Sequence, residues 1–411
     1  METRLRELMQ AVVGDPPHRV TAAAVRRQVV RRRTREAAGI LATVFVAVVG
    51  VTAAVRVFGA APGPAVHQRP PASTVYLLYA HGFVRPGLTP GGLLPISTAT
   101  NTPGRPIHVG FPGAAVLTPD GKTVYVATGY TVTPISTATN TPGKPIHVQG
   151  TPPFGVAINP DGKTVYVSGS FSGTLTPVST VTNTAGKPIH VASSGAIAFT
   201  PDGKTAYVVN SQESPGTVTP ISTAANRPGK PIHVGPLRPD AIAIAPDGKT
   251  VYVLGSHTVT PISTATNRPG KPIRPPGQGC CFIAFTPDGK TGYVGGNGTV
   301  APISTATNRV SKPIRVGIPV QEIVLTPDGK TAYVANEEGP VGTVVPISTA
   351  TNRPGEPIRI GLHTLIAITP DGKTIYAAAQ HEAVPISTAT NRPGKPIRLP
   401  HRQPSGIVIT P

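Results

Sequence analysis

Past residue 72 the apolar positions come in short bursts, each closed by Gly, Pro, Asn or Asp, and the bursts recur in groups of four. One typical group starts with Val156-Ala157-Ile158, turns at Pro160-Asp161-Gly162, and continues with Thr164-Val165-Tyr166-Val167. After a variable loop come Thr176-Pro177-Val178-Ser179-Thr180, a turn over Thr182-Asn183-Thr184-Ala185-Gly186, and Pro188-Ile189-His190-Val191. Short β-branched segments between Gly, Pro and Asn signals predict four antiparallel strands in a meander, here called A, B, C and D. Their apolar residues are not confined to one face, as expected for a small sheet packed between two others.

The group repeats. Pro-Asp-Gly-Lys-Thr occurs seven times, with Asp at 120, 161, 202, 247, 288, 328 and 371, at spacings of 40 to 45 residues. A period near 40 residues built of strands and turns marks a propeller-type array. Eight B segments each carry a Tyr (Tyr76, Tyr125, Tyr166, Tyr207, Tyr252, Tyr293, Tyr333 and Tyr376), and eight C segments run from Pro95-Ile96-Ser97 to Pro385-Ile386-Ser387. The A segments reach eight only when Gly406–Pro411 is counted. The array therefore begins with B, C and D of one unit and ends with the A strand that unit lacks. Pairing of Ile407–Ile409 with Val75–Leu78 would close a ring and remove its open edges. The expected fold class is all-β: an eight-bladed β-propeller of four-stranded antiparallel blades over residues 73–411.

The units resemble the YVTN-type β-propeller repeat through Pro119-Asp120-Gly121-Lys122, Val124-Tyr125-Val126 and Thr137-Ala138-Thr139-Asn140. The resemblance spans residues 73–411. It implies binding at a cell surface or in a periplasm more often than a defined activity; members are commonly seven-bladed, which leaves seven as the alternative count.

A different pattern precedes the array. Ala37–Val55 is an uncharged apolar run, just long enough to cross a hydrocarbon core of about 30 Å. Arg26, Arg27, Arg31, Arg32, Arg33 and Arg35 stand before it, so the positive-inside bias keeps the N-terminus cytoplasmic. The expected organisation is a cytoplasmic basic segment (1–36), one transmembrane helix (37–58), a Pro-rich linker (59–72) and an extracytoplasmic propeller tethered to the plasma membrane. The rival, a cleaved signal peptide, needs a charged region and an apolar core both longer than such peptides have.

Composition adds a net charge of +19, from 37 Lys and Arg against 18 Asp and Glu. Two Cys, adjacent at 280 and 281, exclude a disulfide framework; they read as a strained, labile bridge, free thiols or an intermolecular link. A vicinal disulfide also occurs in eight-bladed quinoprotein dehydrogenases, but the Trp of their blade motif is missing from this chain, which has no Trp. The repeated turn Asp reads as a backbone cap beside a Gly of positive φ rather than as a ring of metal or catalytic carboxylates. His108, His147, His190 and His233 share one repeat position, taken by Arg274, Arg315, Arg359 and Arg398 in the other units; residues on separate outer strands cannot share one metal ion.

Near-uniform A–B and C–D turns belong to one face of such a ring, and variable B–C and D–A loops to the other. Binding concentrates on variable loops of a rigid scaffold. The candidate ligand-binding residues are therefore Tyr130, Phe171, Glu213, Arg238, Asp240, His257, Cys280, Cys281, Glu337, Glu338, His363, His381 and His401. On the uniform face, Lys122, Lys163, Lys204, Lys249, Lys290, Lys330 and Lys373 are candidates for contact with anionic lipid. Acids elsewhere in the array are few, and only Glu322 adjoins an inner strand. No catalytic residue, metal or cofactor is expected, and no nucleic-acid partner, because exposed aromatics beside the basic turns are scarce. The functional expectation is a tethered binding or scaffold module, not an enzyme, whose partner is an extracytoplasmic protein, glycan or wall polymer; the alternative is a lactonase-like surface hydrolase using an axial pocket.

Overall fold

A computed structural model describes residues 73–79, 91–149, 153–169, 172–192, 195–210, 215–235, 238–277, 282–317, 319–338, 341–362, 364–399 and 404–411. The expected transmembrane segment, cytoplasmic segment and linker lie outside them. Among the described residues no helix is long and apolar enough to cross a membrane.

Each predicted group folds as one sheet, and there are eight sheets among the described residues. Blade 3 is representative: A is Pro153–Ile158, B is Thr164–Gly169, C is Thr174–Ser179, and D is two short pieces, Thr184–Ala185 and Ile189–His190, both paired with C. Strand D breaks because its sequence is Thr-Ala-Gly-Lys-Pro, and Pro with a charged side chain is what blunts an outer edge against further pairing. The inner strands contact one another in ring order, from Pro404–Ile409 of blade 1 and Pro112–Leu117 of blade 2 round to Leu365–Ile368 of blade 8 and back. Closure follows the expected register: Val75 pairs with Ile409, Tyr76 with Val408 and Leu77 with Ile407. The ring has eight blades, not seven.

At this junction the chain rebuilds a Pro-Asp-Gly-Lys turn from two separate segments. In blade 2 the Thr118 N–H donates to the Thr123 carbonyl (2.9 Å) and Thr123 N–H donates to Thr118 Oγ1 (3.0 Å). In blade 1, Thr410 and Thr74 make the same two bonds at 2.9 and 2.7 Å. Pro411 then packs on Gly121 as Pro119 packs on Gly162, because these turn glycines have φ near +71° and no Cβ to obstruct a neighbouring ring.

The core is divided among the blade boundaries. Each of the eight buried clusters joins two adjacent blades, for instance Tyr125 and Ala127 of blade 2 with Val156 and Val165 of blade 3. The B-strand tyrosines bridge these boundaries. Tyr76 donates its hydroxyl to Asn140 Oδ1 of the next blade, Tyr125 to Asn183, and so on to Tyr376, which reaches Asn101 of blade 1; all eight bonds are 2.5–2.8 Å. Each acceptor Asn sits in its C–D turn at φ of 50–56°, a conformation Asn tolerates better than other residues with a Cβ. Burial pushes six of the tyrosines up to about 12, so they remain donors across the physiological range. Tyr207→Phe is expected to lower stability by about 1 kcal/mol, the net worth of one such bond, without changing secondary structure; Asn267→Ala, which also places Ala at positive φ, should lower it further, and equal denaturant midpoints for the two variants would refute the double role of the Asn.

Candidate functional site

The uniform face is built from turn chemistry. Thr118 Oγ1 donates to Asp120 Oδ1 at 2.6 Å while the Lys122 N–H donates to the same oxygen at 3.1 Å, and Thr137 of the C–D turn donates to the Gly121 carbonyl at 2.7 Å. The Thr118 hydroxyl holds the Asp120 carboxyl below its ordinary value, and Thr200, Thr286 and Thr326 do the same for Asp202, Asp288 and Asp328. All seven turn lysines are exposed. Five of them hold their ammonium 3.5–3.9 Å from the Asp of their own turn, so each such turn is locally neutral. A cleft of about 280 Å³ opens on this face between blades 2 and 3, lined by Thr118, Asp120, Tyr125, Asp161 and Thr180 among others.

The opposite face receives the starts of the inner strands, and the ladder is irregular there. Strands A of blades 1, 2, 3, 5 and 7 each bulge in their first residues, at Pro404/Gly406, Pro112/Ala114, Pro153/Gly155, Pro239/Ala241 and Val320/Glu322. A bulge re-aims a side chain and ends regular pairing, which suits a rim. The bulged residue is Asp240 in blade 5 and Gln321 in blade 7. Asp240 is half-buried, and desolvation raises its carboxyl above the ordinary value against the pull of Arg238.

The next position along is small or apolar elsewhere in the ring, Ala114, Gly155, Ala196, Ala241, Phe282, Leu365 and Gly406, but in blade 7 it is Glu322. This carboxyl is 4% exposed, and its Oε2 accepts the Ile366 N–H of blade 8 at 2.7 Å. Burial raises Glu322 to about 8, with the Ile366 bond opposing. The same end of the ring holds Ser405 of blade 1, whose hydroxyl oxygen is buried without a hydrogen-bond partner. The starts of the inner strands thus carry two carboxyls with raised pKa and one unsatisfied hydroxyl, on blades 5, 7 and 1, with the Glu322 carboxyl enclosed against blade 8.

Among the residues singled out from sequence, Tyr130 is 58% exposed on a B–C loop, and His257 and His381 are exposed on theirs. Arg238 is exposed beside Asp240, and these two are neighbours electrostatically. Glu337 and Glu338 continue strand B of blade 7, paired with Gly342 and Val341. Phe171, Glu213, Cys280, Cys281, His363 and His401 lie outside the described residues. Among the described residues no three His, Cys, Asp or Glu converge on a point where a metal could sit. Glu322 is not among the nominated site residues, although the signal was present: it is the one acid at a repeat position otherwise filled by Ala, Gly, Phe and Leu.

Comparison places the fold. The chain shares its shape with the dihydro-heme d1 dehydrogenase NirN, solved in complex with DHE (TM-score 0.69, 14% identity, 85% of this chain and 77% of that one). Citrobacter koseri AztD is similar too (TM-score 0.64, 12% identity, 82% and 98% covered), as is Kuenenia stuttgartiensis hydrazine synthase (TM-score 0.53, 21% identity, 70% and 96% covered). No protein-family model matches the sequence, and no curated protein does. At these identities the likeness shows the propeller alone. The expectation that the chain is not an enzyme is corrected by it: a synthase and a dehydrogenase are among the neighbours, so the fold gives no ground for excluding catalysis.

Proposed function

We propose that this protein is a membrane-tethered, extracytoplasmic propeller that binds its ligand through the variable face, at the loops surrounding the axial mouth. One observation carries the reading. The eight blades are near copies in their turns and strands, and length and composition vary chiefly in the B–C and D–A loops, from Ala127–Tyr130 to 336–342. Copies of one template isolate what the fold requires; what differs among them is free for recognition. The anchor would be residues 37–58, with the N-terminus cytoplasmic, and the partner a protein, glycan or wall polymer.

Grafting the three-residue segment Thr128–Tyr130 in place of 336–342 and 210–216, which the strand registers make equivalent, should abolish capture of the ligand from an extract of the cell envelope while leaving the melting temperature within a few degrees. Undiminished capture by the grafted protein would refute the assignment of binding to this face. A second reading rests on Asp240 and Glu322: carboxyls with raised pKa on the inner strands of blades 5 and 7 are the kind of groups that serve general acid–base chemistry.

A further inference from the structure

The outer wall of the ring carries a charge asymmetry that the repeat template does not explain. Three places on each D segment face solvent: the residue after the turn Asn, one three positions on, and one three beyond that. In blade 5 these are Arg268, Lys271 and Arg274, all exposed, while Ile273 between them is buried. Blades 6 and 8 repeat Arg, Lys, Arg, and blade 7 has Arg353, Glu356 and Arg359. Blades 1 to 3 instead begin with Thr102, Thr141 and Thr184 and end with His108, His147 and His190. The central Lys or Arg is common to nearly every blade and fits edge protection. The flanking arginines are not required by the fold, since sibling blades form the same strand with Thr and His.

The asymmetry is sharpest at the blade boundaries. Strand Ile314–Arg315 of blade 6 lies alongside Arg353–Pro354 of blade 7, so an arginine stands on each of the two neighbouring outer strands. At the blade 2–3 boundary the same places hold His147 beside Thr184, from Ile146–His147 and Thr184–Ala185. Among the described residues none of these arginines has a carboxylate within ion-pair distance. The nearest acids in sequence and register are Glu356, exposed in blade 7, and Glu382, opposite Arg398 in blade 8. Like charges that outnumber the carboxylates near them are unfavourable until an anion joins them.

We propose that the outer wall of blades 5 to 8 is a binding belt for a flexible, linear polyanion bearing phosphate or carboxylate groups and no aromatic bases. Arg is suited to both anions through its paired donors. Four adjacent blades of eight span half the circumference, so their walls face in widely different directions. A planar membrane touches such a wall along only a blade or so, whereas a flexible chain can follow it round. The exposed large apolar residues among those described are Phe111, Tyr130 and Val181, on blades 1 to 3, so the belt offers no aromatic platform on which bases could stack. This belt is distinct from the variable face, and its fate does not depend on that of the loop reading.

The test uses substitutions the template already tolerates. In the full chain, held in zwitterionic detergent at pH 8 where His is neutral, Arg274, Arg315, Arg359 and Arg398 are all changed to His. Binding of labelled polyphosphate and of labelled polygalacturonate is followed by fluorescence anisotropy across a salt series. Affinity for the better polymer should fall at least tenfold, and the slope of log K against log salt should shrink by about 3, since each lost contact removes roughly 0.7–0.9. Which polymer binds more tightly identifies the anion. The reverse variant, with His108, His147, His190 and His233 all changed to Arg, should extend the belt and tighten binding. Unchanged affinity in the Arg→His variant would overturn the proposal. So would an equal loss when Arg105, Lys144, Lys187 and Lys230 are changed to Gln, or tighter binding to phosphatidylglycerol vesicles than to either polymer.

Discussion

Deleting residues 404–411 is expected to leave the propeller unable to fold at room temperature. This segment is the inner strand of blade 1, and Ile407, Val408 and Ile409 are 6%, 2% and 7% exposed. Burying an aliphatic side chain of this size is worth roughly 1.5–3 kcal/mol, so the three together amount to about 5–9 kcal/mol before any lost ladder bond is counted. That is comparable to the entire stability of an ordinary domain, about 5–15 kcal/mol. The damage also lies at the worst place. Val75 and Leu77 would lose their inner partner, the boundaries with blades 8 and 2 would each lose part of their cluster, and Pro411 would leave Gly121. Circular dichroism should show no cooperative melt, and peptide 404–411 added in excess should restore one in a concentration-dependent way. Because a chain that never folds is uninformative alone, Ile407→Ala offers the graded version, expected to lower stability by about 2–5 kcal/mol. A cooperative melt of the truncated chain within a few degrees of the parent would show that the ring is not held by this strand.

Closure was readable in the amino-acid sequence because it is a counting problem: eight Tyr-bearing segments need eight inner strands, and only Gly406–Pro411 could supply the last. The features that escaped depend on geometry between blades. Tyr76 and Asn140 are 64 residues apart and meet only because adjacent blades are rotated by the amount an eight-fold ring imposes. No pattern within one repeat encodes that meeting, although the invariance of Tyr and Asn in all eight copies is its trace. The role of Glu322 escaped for a related reason. In Val320-Gln321-Glu322 an alternating strand would turn Glu322 away from the side that Gln321 faces, but the bulge at this point breaks the alternation, and the carboxyl ends in the boundary with blade 8. The variable face was legible as a location, from loop lengths; six of its nominated residues lie outside the described residues.

The charge distribution shows the same division between template and exception. Along five of the seven A–B turns positive charge is cancelled where it arises, for instance Lys122 by Asp120 and Lys290 by Asp288. Exposed pairs of this kind add little stability, about 0–1 kcal/mol. Uncancelled charge lies on the C–D turns and outer strands, densest in blades 5 to 8. A net charge of +19 for the chain hides this, because it sums the basic N-terminal segment, turns that are neutral and walls that are not.

Glu322 supplies the other large expected effect, a stability that falls as pH rises. Its carboxyl titrates at about 8 in the folded protein, against an ordinary value of 4.5, because burial disfavours the charged form by more than the Ile366 N–H can offset. Between those two values the folded state keeps a proton that the unfolded chain has released. Stability therefore decreases as pH climbs from about 4.5 to about 8 and is level on either side. Every pH unit separating the folded and unfolded titrations corresponds to about 1.4 kcal/mol, so the fall has a ceiling of roughly 5 kcal/mol. Glu322→Gln keeps an oxygen for the Ile366 N–H and removes the titration. At pH 5 the variant and parent should unfold at nearly the same denaturant concentration; at pH 9 the variant should be the more stable by a few kcal/mol. The exposed turn aspartates do not confuse the comparison, since the contribution of their lowered carboxyls is lost only as pH falls below about 4. Parallel stability profiles for parent and variant from pH 5 to 9 would mean that water or a rearranged side chain solvates the carboxylate. The blade 7–blade 8 boundary would then be open enough at the axial mouth to admit solvent to the buried end of the strand.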